Sequence, residues 1–197
     1  MPKVGPRYRT QFRRKREGKT DYRHRLKLLR SGRLRLVTRI SLNHVAAQVM
    51  RATPAGDTTL ASAHSKQLEK FGWKCHTSNI PTAYLVGFLC GYRALEANVK
   101  ECILDIGMHE PIPRTKVFAV LKGALDAGLH IPHDEGILPD EDRTNGKHIS
   151  QYAAKLKEKD PNAYQARFSG YLARGLSPEH IPEHFNEVKQ TIITQFG

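Results

Sequence analysis

The chain has no apolar run long enough to cross a membrane. A transmembrane helix needs about 18 or more consecutive apolar residues, and none of the 197 residues belongs to such a run. The basic beginning of the chain also lacks the apolar segment and cleavage site of a signal peptide. These two absences predict a cytoplasmic protein without a membrane partner.

Cysteine is scarce, with only Cys75, Cys90 and Cys102, and none of them has CxxC spacing. An odd number of thiols without such spacing argues against a disulfide framework and against a cysteine-rich zinc site. Free cysteines are often simply buried in the core. We therefore predict three structural thiols.

Histidine pairs are present, but other metal ligands beside them are missing. His130 and His133 are three residues apart, and His180 and His184 are four apart, yet neither pair has a companion cysteine. A zinc site normally needs three or four placed donors. The sequence therefore predicts no metal and no cofactor.

Acidic residues are nearly absent from the first 35 residues. That stretch holds 14 Lys or Arg against Glu17 and Asp21, a balance of +12, whereas residues 36–197 hold 18 against 17, a balance of +1. Almost all of the net charge of +13 therefore lies at one end of the chain. A block of like charge this dense is typical of an arm that binds a polyanion.

This basic stretch also lacks a sustained apolar face. A segment so highly charged buries too little apolar surface to offset its ordering entropy, so we expect residues 1–32 to be disordered in isolation. Tyr8, Phe12 and Tyr22 alternate with arginines, a mixture that can stack on bases and pair with phosphates. A short helix is predicted after Thr20 or Asp21 as its cap, and it ends at Gly32.

The rest of the chain predicts a mixed α/β sheet with helices on both faces. Residues 33–42 alternate in the way of a strand with a basic outer edge, followed by hairpin strands at 45–52 and 58–64. A helix over 79–98, a buried strand over 102–107, a helix over 116–129 and an edge strand over 130–132 follow. We place the core at 33–139 and a helical extension at 140–197, which has too few apolar residues to fold alone.

Five blocks of the sequence, in order, resemble one known family. They are "FRRKREGKTDYRHRLKLLRSGRLRLVTRIS", "GDTTLASAHSKQLEKFGWK", "NIPTAYLVGFLCGYRAL", "CILDIGMHEPIPRTKVFAVLKGALDAGLHIPH" and "DEDRTNGKHISQYAAKL". They are similar to the archaeal form of the large-subunit ribosomal protein L-eighteen family, over roughly residues 7–175. A shared order of five blocks is far more specific than a short motif.

The resemblance implies a ribonuclease-H-like core without catalysis, in a structural protein that binds 5S rRNA. It also implies contacts with 23S rRNA and with neighbouring large-subunit ribosomal proteins in the central protuberance. We expect RNA contacts from the basic and aromatic residues of the arm, from the residues that match the family's arm, and from the basic strand edge. These residues are Arg7, Tyr8, Arg9, Phe12, Arg13, Arg14, Lys15, Arg16, Lys19, Thr20, Tyr22, Arg23, Arg25, Lys27, Arg30, Arg33, Arg35 and Arg39.

One segment departs from the family pattern. Before the "VFA" helix the family usually has a turn with Gly or Ser, whereas this chain has "PIPRT". Whether Arg114 and Lys116 reach RNA therefore stays open at this point.

Two other functions are compatible with parts of the sequence. A basic arm would also suit a general nucleic-acid packaging protein. A ribonuclease-H-like fold can hold a metal-dependent nuclease, for which Asp105, Glu110, Asp134 and Glu135 are the candidate carboxylates. Asp105 lies in an apolar run and the others lie in acidic loops, so we expect no enzymatic activity and no small-molecule substrate.

Overall fold

The core is a four-stranded sheet, seen in a computed structural model that describes residues 5–197. Its strands are β1 (Arg35–Ile40), β2 (Val45–Thr53), β3 (Gly56–His64) and β4 (Ile103–Asp105), in the order β3-β2-β1-β4. The first three strands form an antiparallel meander, and β4 runs parallel to β1. This confirms the prediction of a mixed α/β sheet.

Tight turns hold the meander in register. The backbone N–H of Ser41 donates to the carbonyl of His44 at 2.8 Å, which closes the β1–β2 turn. The hydroxyl of Thr53 donates to the carbonyl of Gly56 at 2.6 Å and closes the β2–β3 turn. Both turns lie where the polar and Pro/Gly residues of the sequence predict them.

Eight α-helices lie within residues 5–197, together with short 3₁₀ turns. They are α1 (Arg13–Arg16), α2 (Tyr22–Arg30), α3 (Ile80–Glu96), α4 (Lys116–Asp126), α5 (Glu141–Thr144), α6 (Lys147–Lys159), α7 (Pro161–Leu172) and α8 (Ile181–Phe196). The 3₁₀ turns span Ser65–Phe71, Glu135–Ile137 and Pro178–His180.

Helices α3 and α4 lie against each other and close one face of the sheet. The side chain of Asn79 caps α3 by accepting a hydrogen bond from the N–H of Thr82 at 2.9 Å. Glycine makes their contact possible, because a Cβ on Gly87 would overlap the carbonyl of Val120 and one on Gly123 would overlap that of Tyr84. Gly87 of α3 and Gly123 of α4 therefore allow the two helices to pack closely inside the core.

The opposite face of the sheet is covered differently. Leu36 and Val49 belong to the core with α3 and α4, whereas Arg39 and Met50 point to the other side, where they line a cavity next to α2. A buried apolar layer thus covers one face, whereas α2 approaches the other face across a polar, partly open cavity.

The predicted edge strand over residues 130–132 is wrong. His130 forms an isolated parallel bridge with Glu101, and the segment does not continue as a strand. Its N–H donates to the carbonyl of Lys100 at 2.9 Å, and its carbonyl accepts from the N–H of Cys102 at 3.1 Å. Residues 127–129 form the turn that ends α4, so pairing begins only at His130, where it consists of this single bridge.

The C-terminal helices pack onto the core. Side chains of α8 and the segment before it complete the main core; they are Leu176, Ile181, Phe185, Val188 and Ile192. Helices α6 and α7 also bury a small cluster of their own, formed by Ala153, Tyr164 and Phe168. The C-terminal segment is thus helical, and it docks on the core.

The three thiols are free and buried, as predicted. Burial raises the pKa of Cys75, of Cys90 and of Cys102 to about 12 in each case. They are therefore protonated and unreactive at neutral pH. Across residues 5–197, no helix combines the length and the apolar character that a membrane span requires.

Candidate nucleic-acid interface

The basic arm, defined as residues 5–32, contains two short helices. The carboxylate of Asp21 caps α2 by accepting hydrogen bonds from the N–H groups of Arg23 at 2.8 Å and His24 at 3.1 Å. The backbone hydrogen bonds from His24 and Arg23 lower the pKa of Asp21. Of the two caps that the sequence allows, Thr20 and Asp21, the structure uses Asp21.

No residue of the arm is buried. Every side chain from 5 to 32 is exposed or half-buried, including the aromatic side chains of Tyr8 and Phe12, which are 60% and 72% exposed. Large aromatic side chains normally bury much of their area when a fold uses them. The arm therefore presents both its cations and its aromatic rings to a partner.

Glu17 is the one carboxylate that pairs with cations inside the arm. It accepts from Arg13 at 2.7 Å and from Lys19 at 2.8 Å, and these two hydrogen bonds lower its pKa. Exposed pairs of this kind contribute little to stability. Phosphates can therefore replace Glu17 as the partner of both cations at small cost.

Other contacts fix the two arm helices relative to each other. The rings of Phe12 and Tyr22 lie 5.3 Å apart between centroids, at an angle of 47°. The Nε of Arg14 donates to the hydroxyl of Thr20 at 2.9 Å. Two predicted stacking residues thus contact each other, which places α1 beside α2.

A chain of ion pairs connects the arm to the sheet. Arg25 of α2 donates to both carboxylate oxygens of Asp57, at 2.8 and 2.9 Å. The same carboxylate accepts from Arg35 of β1 at 2.8 Å, and Arg35 also donates to Asp105 of β4 at 2.7 Å. Four alternating charges therefore run from the arm through β3 and β1 to β4.

Within this chain of ion pairs, the electrostatics favour the charged form of Asp57. Partial burial of Asp57 opposes its ionisation, but the hydrogen bonds and charges of Arg25 and Arg35 outweigh it, and its pKa is lowered. Arg35 is 1% exposed and Asp105 is 5% exposed. A buried pair of this kind is costly to break, because removing one partner leaves an uncompensated charge.

Arg35 is buried, although the sequence predicts that it is exposed. The alternation puts it on an exposed basic face with Arg33 and Arg39, and this is wrong because Asp57 and Asp105 cover it. Arg33 is exposed in the link between α2 and β1, and Arg39 is exposed near the end of β1. The exposed cationic surface therefore runs from the arm to Arg33 and Arg39 and passes over Arg35.

A cavity of about 470 Å³ separates the arm from the sheet. Cationic side chains of both parts line it, namely Arg14, Lys19, Arg25 and Arg39, together with the apolar side chains of Met50 and Met108. Arg39 is held there by donating to the carbonyl of Thr38 at 2.9 Å and by lying against Gly107, whose φ is +66°. The structure thus brings predicted residues from two distant segments to one place.

The remaining predicted residues divide by position. The other cations of the arm lie outside this cavity on exposed positions; they are Arg7, Arg9, Arg13, Lys15, Arg16, Arg23, Lys27 and Arg30. Arg114 and Lys116 lie elsewhere, before and at the start of α4, where they approach Asp140 and Ser78, each at 3.3 Å. The structure does not bring these two residues to the arm.

Sequence reasoning missed Asp57. The segment "TPAGD" forms the turn between β2 and β3, but a turn motif gives no sign that its aspartate pairs with arginines 32 and 22 residues away. Met50 and Met108 were missed for the same reason, since only the fold brings them together.

The candidate nuclease carboxylates do not converge. Asp105 accepts from Arg35 and from the N–H of Gly107 at 3.0 Å, and Asp134 accepts from the N–H of Gly136 at 2.9 Å to cap a 3₁₀ turn. In the described part of the chain, no group of three or more His, Cys, Asp or Glu side chains could hold a metal ion. Asp105 and Asp134 therefore stabilise the structure through these contacts.

The chain belongs to a family of ribosomal proteins, described as "Ribosomal large subunit proteins 60S L5, and 50S L18", which matches residues 6–101 and 96–134. It is also 55% identical, over 188 residues, to the "Large ribosomal subunit protein uL18" of Methanothermobacter thermautotrophicus. That alignment covers 95% of this chain and 96% of the relative. The resemblance drawn from the five sequence blocks is thereby confirmed.

Membership of this family makes the chain a structural component of the large ribosomal subunit rather than an enzyme. Its location is accordingly the ribosome. The exposed cationic arm is the part of the structure that suits such a ribonucleoprotein particle.

Proposed function

We propose that the chain binds 5S rRNA and helps to attach it to 23S rRNA in the central protuberance of the large subunit. Neighbouring large-subunit ribosomal proteins are its other partners. In this proposal residues 1–32 are the RNA-binding arm, residues 33–139 are a ribonuclease-H-like core used as a scaffold, and residues 140–197 are a helical extension. Residues 1–4 lie outside the described part of the chain.

One observation carries the proposal: the arm is densely cationic and none of its described residues is buried. A protein that keeps so many arginines and aromatic rings outside its core has an anionic partner to cover them. In a large-subunit ribosomal protein, rRNA is the polyanion at hand.

The geometry of RNA assigns the roles within the surface. The major groove of an A-form helix is too deep and narrow for side chains, so the arginines and lysines bind phosphates and 2′-hydroxyls. Tyr8 and Phe12, the most exposed aromatic residues of the arm, stack where bases are unpaired. Arg33 and Arg39 extend the surface onto the core, whereas Arg35 has no access to RNA.

The sheet supports the choice of scaffold. An antiparallel meander with β4 parallel to β1, and a further parallel bridge at His130, is compatible with the ribonuclease-H-like topology. The sites of the nuclease candidates are occupied by the Arg35 ion pair and by a helix cap. The scaffold is therefore used here without catalysis.

Deletion of residues 1–32 tests the proposal. The core should stay folded, with unchanged emission of Trp73, the single tryptophan, which lies buried far from the arm in sequence. Tight binding of a 5S rRNA transcript in a filter assay should be abolished. Undiminished affinity of the truncated chain at moderate salt would contradict the proposal.

Competition separates this function from general packaging of nucleic acids. A packaging protein binds any nucleic acid mainly because counterions are released from the phosphates. Excess tRNA should therefore displace it from 5S rRNA. A protein that recognises the shape of folded 5S rRNA should resist that competitor. Equal displacement by tRNA and by unlabelled 5S rRNA would favour packaging.

A further inference from the structure

We infer that Asp57 is a positioning residue for RNA binding: it holds the arm at a fixed place on the sheet through Arg25, although it is itself repelled by phosphate. The inference rests on the proposed function and adds a residue to it that is acidic and lies outside the arm. It depends on three features of the structure.

The first feature is the geometry of the link. Both oxygens of Asp57 lie within 2.9 Å of the same guanidinium nitrogen of Arg25, and the two residues are 32 positions apart. Among the described residues, the other ion pairs of the arm, those of Glu17, stay within the arm itself. The Arg25–Asp57 pair is therefore the ionic contact that fixes α2 relative to the sheet.

The second feature is the rigidity of the anchor. The side chain of Asp57 is 19% exposed and is held from the other side by Arg35, which is buried and paired with Asp105. A carboxylate fixed by a buried guanidinium has little freedom to follow Arg25. Arg25 must instead come to it, and α2 is placed accordingly.

The third feature is the sign of the charge. Asp57 and Asp105 line the same cavity as Arg14, Lys19 and Arg39, so both carboxylates oppose the approach of phosphate there. If charge alone set the affinity for RNA, neutralising Asp57 would strengthen binding. If Asp57 positions the arm, neutralising it weakens binding. The two effects have opposite signs.

The test compares Asp57→Asn with Glu17→Gln, since each removes one carboxylate from the cationic surface. Asp57→Asn should weaken binding of a 5S rRNA transcript by about tenfold, near the lower end of what losing a hydrogen bond to a charged group costs. It should also make the slope of log K against log salt shallower, because fewer phosphates are contacted. Glu17→Gln should leave affinity unchanged or raise it. Unchanged or tighter binding by Asp57→Asn would overturn the inference.

A second pair of variants covers the case in which Asp57→Asn destabilises the core. Arg25→Gln leaves the Arg35 pairs intact, and Arg30→Gln removes an exposed cation from the same helix. Arg25→Gln should lose more affinity than Arg30→Gln, and amide hydrogen exchange across α2 should become faster only in Arg25→Gln. In the Arg25→Gln background, adding Asp57→Asn should cause no further loss. Equal effects of the two arginine variants on both readouts would overturn the inference.

Failure of the proposed function can be told apart from failure of this inference. If the unaltered chain does not bind 5S rRNA, the proposed function is wrong. The positioning role is then decided by hydrogen exchange of α2 in the free protein, where Asp57→Asn must accelerate exchange and Glu17→Gln must not. Identical exchange in the two variants would reject it.

Discussion

The two extensions of the core, the arm and the segment 141–196, are attached in opposite ways. The arm buries no side chain and contacts the sheet through an ion pair, whereas α8 inserts Phe185, Val188 and Ile192 into the main core. Both are helical and both flank the same sheet. The difference shows that helix content does not tell which segment belongs to the fold; the burial of its side chains does.

Two phenylalanines, one in α8 and one in the arm, should show the largest difference in the free energy of unfolding when each is replaced by alanine. Phe185→Ala should lower the free energy of unfolding by about 3–5 kcal/mol, since it leaves a cavity beside Tyr84 and Trp73. Phe12→Ala should change that free energy by less than about 0.5 kcal/mol, because Phe12 is exposed. Urea unfolding followed by circular dichroism measures both. Similar effects at the two positions would break the comparison.

Two arginines, one in the C-terminal segment and one in the arm, should show a smaller difference in their effects on stability. Arg174 donates to the carbonyls of Lys74 and Cys75, at 3.0 and 2.8 Å, and so fastens the extension to the loop after β3. Arg174→Ala should cost about 1 kcal/mol of stability. Arg16→Ala in the arm should cost nothing measurable in unfolding, but it should weaken RNA binding. An arm arginine that stabilises the fold as much as Arg174 would count against the division.

Lowering the pH should weaken the packing of the C-terminal extension by a small amount, because His184 becomes protonated. Burial lowers the pKa of His184 below 6.5 and outweighs the opposite effect of Glu187, and the neutral ring accepts from the N–H of Lys74 and stacks on Trp73. The unfolded chain therefore binds the proton more readily, so stability is complete above about pH 6.5 and falls as the pH drops toward the folded pKa. His76, His64 and His148 are shifted in the same direction.

The contribution of His184 is the difference between two pH profiles. His184→Gln should show a smaller loss of stability between pH 7 and 5 than the unaltered chain, measured by thermal unfolding. Substituting Glu17 of the arm with Gln should leave the profile unchanged, since the pKa of Glu17 is lowered from 4.5 and the carboxylate stays ionised between pH 7 and 5. If both substitutions leave it unchanged, His184 does not link the extension to pH.

Much of the fold follows from local rules in the sequence. Alternation predicts β1, the turns that follow it predict β2 and β3, the Asn79 cap with Pro81 in the first turn predicts α3, and Asp21 is one of the two predicted caps of α2. These signals succeed because each depends on residues a few positions apart. The cationic surface is predicted equally well, since it is continuous in sequence from the arm to Arg33.

The failures concern residues that meet across the chain. Alternation correctly places Arg35 on the face away from the main core, but it cannot show that Asp57 and Asp105, 22 and 70 residues away, bury it there. The same limit hides the Arg25–Asp57 contact. At His130, the local sequence does not show whether the segment pairs with residues near Glu101 through a single bridge or as a full strand.

The close approach of Gly87 to Val120 and of Gly123 to Tyr84 restricts how this core can change during evolution. A larger residue at one position is usually accommodated by a smaller one opposite, but here the backbone atoms themselves fill the space and neither side can shrink further. Each position therefore tolerates no compensated exchange, and the spacing of α3 and α4 can vary only if both helices shift together. We therefore expect the sequence to vary on the surfaces around the α3–α4 contact rather than at the contact itself.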